Sequence, residues 1–222
     1  MSILSKSQSM GVAAVILAVS TLLSRFMGLV RDKIISWQFG AGGESDMYFA
    51  AFVVPDIINY LLAGGFMSIT LIPLLSKRFS EDEADGWRFY SCVLTWMAVC
   101  AMAVTALGML FAEPLAHVVA PGLDPSRYAR LALFMRIVLP AQVFFLVGSC
   151  IIALLYLRRQ FTIPALTPLI YNGCIIFFGV TLPYSGLVHG MTGYCVGVVF
   201  GAGIGTCLLY TSDAADERSS VD

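Results

Sequence analysis

The sequence consists mainly of apolar runs about 20 residues or more in length, separated by short breaks rich in glycine, proline or charge. A helix of about 20 apolar residues crosses the hydrocarbon core of a bilayer. We therefore predict six transmembrane helices, over 10–39, 46–76, 87–112, 128–156, 163–183 and 186–206. The first two runs exceed the minimum length and carry polar residues, so we expect these helices to tilt, bend or line a cavity.

The composition supports an all-α integral membrane protein. Of the 222 residues, 59% are hydrophobic and only 12% are charged, about half the charge of a soluble domain. The net charge is −1 and the basic residues are scattered, which excludes nucleic acid as a partner. The six cysteines show no CxxC pair, so they are predicted to be packing residues rather than metal ligands: Cys92, Cys100, Cys150, Cys174, Cys195 and Cys207.

The lysines and arginines of the short loops predict the orientation. The N-terminus and alternate loops hold Lys6, Lys77, Arg78, Arg88, Arg158 and Arg159. The opposite face holds Arg31, Lys33, Arg127 and Arg130. Six basic residues against four place the N-terminus in the cytoplasm.

The polar end of the sequence has two interpretations. It is either a solvated cytoplasmic tail or a non-native segment, because CLLYTSDAADER (207–218) resembles the conceptual translation of a transposase adapter. We favour the second interpretation and assign 1–206 to the membrane lobe and 207–222 to an adapter-derived tail. We expect this tail to be unpacked, because little apolar surface is available to offset its ordering entropy.

Charged residues in the first helix are the strongest candidates for a site. Arg25, Arg31 and Asp32 lie in a segment otherwise apolar enough to span, and charges at bilayer depth usually face a polar interior. Arg25 and Asp32 are seven residues apart and share a face with Gly28, whereas Arg31 lies about a third of a turn away. The residues form either an anion-binding cavity wall or a structural lock between helices.

Further polar residues are expected in helices two, four and five. Asp56 and Asn59 share one face of helix two, where Asp56 is either a cation or proton site or the partner of Arg25 or Arg136. The remaining polar or bend-forming candidates are Asp46, Tyr60, Gly64, Gly65, Ser68, Gln142 and Asn172.

No enzyme motif is present: the sequence lacks G-x-S-x-G, Walker and H-E-x-x-H patterns, and His117 and His189 are isolated. No cofactor is expected. The remaining chemistry is binding by arginine side chains, whose planar guanidinium groups can donate two parallel hydrogen bonds to a phosphate.

Four segments resemble the MviN/MurJ-type lipid II flippases of the multidrug, oligosaccharidyl-lipid and polysaccharide exporter superfamily. They are SRFMGLVRDKIISWQFGAGGESDMYFAAFVVPDIINYLLAGGFMSITLIPLLS, VVAPGL (118–123), RIVLP (136–140) and RRQFTIPALTPLIYN (158–172). The resemblance covers nearly all of 5–206, with the motifs in order and at matching spacing. It implies the N-terminal lobe of a transporter of about fourteen helices, whose C-terminal lobe is missing, so that the fragment is inactive alone.

The resemblance implies that the protein flips lipid II, an undecaprenyl-pyrophosphate-linked disaccharide pentapeptide, across the bacterial inner membrane by alternating access. Arg25 and Arg31 match the family's cavity arginines, and Asp46 matches its acidic position at the start of helix two. Asn59 and Tyr60 stand where the best-known members have two arginines, and Gly64 stands where they have a glutamate. The implied substrate-binding residues are Arg25, Arg31, Arg136 and Asn59, with Asp32, Asp46 and Asp56 balancing charge or coupling transport.

Two alternatives remain. The first is another exporter of the superfamily, for a different polyprenyl-linked glycan or a drug. The second is a membrane enzyme acting on polyprenyl phosphates, which would need an acidic Mg²⁺ site such as the loop 81–85.

Overall fold

A computed structural model describes residues 10–40, 42–61 and 70–219, with side chains omitted at 10 and 213–219. All regular elements in these ranges are helical. The α-helices are α1 Met10–Phe39, α2 Glu44–Ala50, α3 Val53–Asn59, α4 Ile72–Glu81, α5 Glu83–Leu110, α6 Ala112–Val119, α7 Tyr128–Val138, α8 Ala141–Leu157, α9 Thr162–Tyr184 and α10 Thr192–Ser219. The predicted all-α class is confirmed.

Within the described ranges, five helical segments are long and apolar enough to cross a membrane. They are Gly11–Phe39, Glu83–Leu110, Pro125–Leu157, Thr162–Tyr184 and Thr192–Ser212. The chain is therefore built as a multi-pass membrane protein. The predicted count of six is not confirmed: the second predicted span is interrupted at 51–52, and residues 62–69 of it lie outside the described ranges.

The prediction of a single helix over 46–76 is wrong. The segment contains α2, a turn at 51–52, α3 and the start of α4, with π-helical turns at 60–61 and 70–71. Pro55 explains the first break, because it has no amide hydrogen to donate to the carbonyl of Ala51, one turn earlier. The predicted bend at Gly64 and Gly65, and Ser68, lie outside the described residues.

Proline also divides the fourth predicted span. The span 128–156 appears as α7 and α8, separated at Leu139 and Pro140, because Pro140 cannot donate to the carbonyl of Arg136. The Gln142 amide nitrogen instead bonds the Leu139 carbonyl oxygen at 2.9 Å. This break turns the start of α8, including Gln142, toward the interior.

The other boundaries differ by a few residues. α1 has the predicted bounds, and α9 agrees to within one residue. α5 begins at Glu83 rather than 87, because the Asp82 side chain caps it by accepting a hydrogen bond from the Ala84 amide at 3.0 Å. α10 begins at Thr192 rather than 186, and α6 occupies a segment between the third and fourth predicted spans for which no helix was predicted.

α9 and α10 pack closely along a stripe of four glycines at four-residue spacing in α10: Gly193, Gly197, Gly201 and Gly205. A Cβ atom built on Gly197 would lie 2.8 Å from the Ile175 Cα atom, a distance that real Cβ atoms do not reach. Small residues at this spacing allow transmembrane helices to approach to backbone contact. The stripe fixes α9, and thereby the polar residues that α9 carries.

The expectation of an unpacked tail from Cys207 onward is wrong at its start. α10 continues past 206 without interruption, and Leu209 is buried against Ile151 and Leu155 of α8. Burial of this leucine favours packing of the turn against the bundle. Of the cysteines, Cys150 and Cys195 are buried as packing residues, whereas Cys92, Cys100 and Cys207 are exposed on the apolar surface.

Candidate functional site

Arg31 is held in the middle of the polar contacts between α1 and α9. Its Nε and Nη2 atoms lie 3.0 and 2.9 Å from the Asp32 Oδ1 atom, and Nη1 donates to the Asn172 Oδ1 atom at 3.2 Å. The Arg31 side chain is only 20% exposed, and Asn172 is 7% exposed. Asn172 in turn donates to the Ser24 hydroxyl and to the Pro168 carbonyl. The guanidinium is therefore fixed in position rather than free to move along the helix.

This arrangement leaves Arg31 with capacity for a ligand. A guanidinium has five N–H groups; one on Nε and one on Nη1 donate to Asp32 and Asn172, and Nη2 forms an ion pair with Asp32. N–H groups on the two terminal nitrogens therefore remain without a hydrogen-bond partner among the described residues, and such charged donors suit phosphate oxygens. The Asp32 side chain, 44% exposed, balances the charge without enclosing it. Helical periodicity placed Arg31 and Asp32 on different faces of α1, so their pairing was not predicted.

Arg25 lies in a neighbouring groove rather than in the same cleft. A groove of about 220 Å³ between α1, α8 and α9 is lined by Arg25, Ser20, Ser24, Tyr156 and Pro168, among others. Arg25 is exposed and makes no hydrogen bond to any residue in the described ranges. Ser24 joins the two arginine positions, because it lines this groove and also bonds Asn172.

A second cleft contains two of the predicted helix-two residues. It has a volume of about 690 Å³ and is lined by Phe52, Asp56, Asn59, Tyr60, Gln142, Phe145 and Tyr171. We call it the Asp56 cleft. Asp56 forms no ion pair with Arg25, Arg136 or any other described residue, so the expectation that it pairs with one of these arginines is wrong. The break at 51–52 turns α3 so that Asp56 faces α8 and α9.

Arg136 and Asp46 lie away from both clefts. The exposed Arg136 donates from Nε to the Met109 carbonyl at 3.2 Å, and so caps the C-terminal end of α5, where unpaired carbonyls carry partial negative charge. Asp46 is exposed on α2 near Gly42. In the acidic loop 81–85, Asp82 caps α5 and Asp85 pairs with Arg78 at 2.7 Å, so both carboxylates have local structural roles.

Sequence reasoning missed a polar clamp at the end of the bundle formed by the starts of α2 and α7 and the loop before α10. The Glu44 carboxylate accepts from Arg130 Nη2 at 3.0 Å and from the Met191 amide at 2.8 Å. Arg130 also donates to the His189 carbonyl at 2.9 Å. Gly190, at φ +60°, leaves no room for a Cβ atom beside Glu44. Residues so far apart in the chain give no local signal.

We expect Arg130→Gln to lower the free energy of unfolding by about 1.5 kcal/mol, because Glu44 would lose a charged partner in a partly buried position. Denaturation in mixed detergent and sodium dodecyl sulfate micelles would measure it. The exposed pair Lys77 and Glu81, 3.9 Å apart, is the control, and Lys77→Gln should change stability by less than about 0.5 kcal/mol. Equal effects of the two variants would contradict the clamp.

The long apolar helices, with a partly buried guanidinium between two of them, define a polytopic helical membrane protein. A family model described as lipid II flippase MurJ matches residues 35–209. The chain belongs to the lipid II flippase MurJ family, which is a family of transporters rather than enzymes.

Individual relatives agree with this assignment. The chain is 31% identical over 166 residues to a probable lipid II flippase MurJ of Buchnera aphidicola, covering 73% of this chain and 32% of that relative. It is 26% identical over 187 residues to the lipid II flippase MurJ of Thermosipho africanus, covering 84% and 39%. A solved structure of lipid II flippase MurJ in an inward closed conformation superposes with a TM-score of 0.76 at 25% identity, covering 89% of this chain and 41% of that one. The chain thus spans about a third to two fifths of the length of these relatives.

Proposed function

We propose that this chain forms one lobe of a flippase that carries lipid II across the bacterial cytoplasmic membrane by alternating access, with its N-terminus in the cytoplasm. The partners are lipid II, the surrounding membrane lipids and a second lobe like that of the longer relatives. Family membership supports this class of activity. The fixed Arg31 guanidinium is the single observation that carries the proposed substrate.

The physical problem for such a transporter is the pyrophosphate of the head group. It carries about two negative charges, and a charged group has a large desolvation penalty in hydrocarbon. A polar path with fixed positive charge removes most of that barrier. Arg31 has N–H groups on Nη1 and Nη2 that make no hydrogen bond to a described residue, and Arg25 lies in the adjoining groove.

Binding must also be weak enough to allow release. Asp32 accepts a hydrogen bond from Arg31 Nε and forms an ion pair with its Nη2, and so reduces the net charge that the pyrophosphate meets. A carrier site needs this balance, because a ligand held too tightly would not leave on the far side. Arg25 and Arg31 are therefore proposed as phosphate contacts, and Asp32 as the group that tunes their affinity. Arg136 is left with a structural role at the end of α5.

A chimaera tests the proposal. Residues 10–209 of this chain, which include all of α1 with Arg25 and Arg31, would replace the matching segment in the full-length Thermosipho africanus relative. The chimaera would be expressed in cells depleted of their own flippase, with the same junctions around the relative's own segment as the control. We expect growth to be restored and newly made lipid II to become accessible on the outer face. A chimaera that accumulates at the control level and is monodisperse, yet restores neither, would contradict the proposed function.

A further inference from the structure

The Asp56 cleft differs from the Arg31 site in the sign of its charge. Among the described residues that line it there is one carboxylate, Asp56, and no lysine, arginine or histidine. The resemblance to the flippases led us to expect arginines where Asn59 and Tyr60 stand. At this place the chain therefore offers a negative charge and neutral polar groups instead of positive charge.

Gln142 provides a second, independent indication of a ligand. Its side chain is 2% exposed and lines the cleft, and its Oε1 atom has no hydrogen-bond partner among the described residues. A buried polar atom without a partner lowers stability, and native proteins usually satisfy such atoms. A ligand with hydrogen-bond donors would therefore supply partners for both the Gln142 amide oxygen and the Asp56 carboxylate.

We propose that the Asp56 cleft binds a primary ammonium group on the peptide part of the transported head group. This inference rests on the proposed function. An ammonium group has three N–H donors and no acceptor, so it matches the acceptors Asp56, Gln142 and Asn59. It is also attracted to aromatic faces, and Phe52, Phe145 and Tyr171 form much of the wall.

The size and position of the cleft favour an ammonium carried on a chain over a free metal ion. A volume of about 690 Å³ with largely aromatic walls accommodates an alkyl chain as well as its charged end. Tyr171 lines the cleft, and the next residue of α9, Asn172, bonds Arg31, so the anion-binding and cation-binding positions adjoin the same turn of α9. A head group bearing both phosphate and ammonium would satisfy the two together.

The test uses the purified full chain in dodecyl maltoside and a soluble probe, Nα-acetyl-lysine methylamide. Its neutral counterpart, Nα,Nε-diacetyl-lysine methylamide, lacks the ammonium. Saturation-transfer NMR titrations would give both dissociation constants. We expect the charged probe to bind at least about fivefold more tightly than the neutral one, a preference that follows from a charge-assisted hydrogen bond.

Variants assign this preference to the cleft. Asp56→Asn keeps the shape of the side chain and should abolish the preference, whereas the control Glu113→Gln, at an exposed carboxylate of α6, should leave it unchanged. Gln142→Met should weaken binding of the charged probe about threefold through the loss of one hydrogen bond. Thermal unfolding confirms that each variant is folded. Equal binding of the two probes by the wild type, or an unchanged preference in folded Asp56→Asn, would overturn the proposal.

Two further measurements distinguish an ammonium site from a metal-ion site, and the probe result from the flippase assignment. Exchange of NaCl for KCl at constant ionic strength should change the probe affinity less than about twofold, and displacement by only one of these ions would overturn the proposal in favour of a metal site. The titration requires no transport, so its failure does not affect the flippase assignment. Intact probe binding with a failed chimaera would overturn the head-group assignment while the cation site remained.

Discussion

Arg31→Lys in the chimaera is expected to reduce plating efficiency on depletion of the native flippase by at least about 100-fold, because two charge-assisted hydrogen bonds to phosphate would lose their geometry. The lysine keeps the positive charge. It has no planar fork, however, and cannot bond Asp32 and Asn172 while presenting two parallel donors. Arg31→Ala should be at least as severe. Plating efficiency, with protein amount checked by blot, is the measurement.

The matched control is Arg127→Lys, the same substitution at an exposed position just before α7, which should plate like the unmodified chimaera. Asn172→Leu separates positioning from charge, because Arg31 keeps its charge but loses the bond that orients Nη1. It should impair growth less than Arg31→Ala at equal protein levels. Normal growth with both Arg25→Ala and Arg31→Ala would contradict the phosphate-binding role and leave these arginines as structural contacts between helices.

Gly197→Ala is expected to lower the free energy of unfolding by about 3 kcal/mol, because the added methyl group would press on the α9 backbone. Its Cβ would meet the Ile175 Cα atom at 2.8 Å and the Cys174 carbonyl oxygen at 3.0 Å. Backbone atoms of a packed helix cannot turn aside as a flexible side chain does. Denaturation in mixed micelles measures the change.

The control lies on the same helix. Gly203 has only the Phe144 ring near its Cβ position, at 3.8 Å or more, which is an ordinary contact distance. Gly203→Ala should therefore be neutral or stabilising by up to about 1 kcal/mol, since alanine favours helix over glycine. A similar loss of stability in both variants would show that α10 is sensitive to any added methyl group and that the stripe has no special role.

The sequence predicted most of the fold, because apolar runs long enough to cross a bilayer indicate transmembrane helices. It failed where proline divided a run: Pro55 and Pro140 remove hydrogen bonds within helices that composition alone suggests are continuous. It also missed the glycine stripe of α10, although glycines at four-residue spacing in an apolar segment are a visible signal of close helix packing.

The site was predicted only in part. Arg31 and Asp32 were found because charges are rare in an apolar span. Asn172 was noted as a polar residue, but its bond to Arg31 joins positions far apart in the chain, which no local pattern reveals. Glu44 was overlooked for the same reason, while Asp46, two residues later, was chosen through the resemblance and lies exposed.

The packing of α1 against α9 has a consequence for synthesis. Roughly 120 residues separate the end of α1 from the start of α9, and at about 5–20 residues per second their translation takes roughly 6–25 s. Throughout that interval Arg31 and Asp32 have no Asn172 beside them, and α1 has no surface of α9 to cover its polar positions. The nascent first helix must therefore keep these side chains hydrated or paired with each other until α9 arrives. Because Asp32 follows Arg31 directly in the chain, the pair can form at that stage and lower the cost of placing both charges in the membrane.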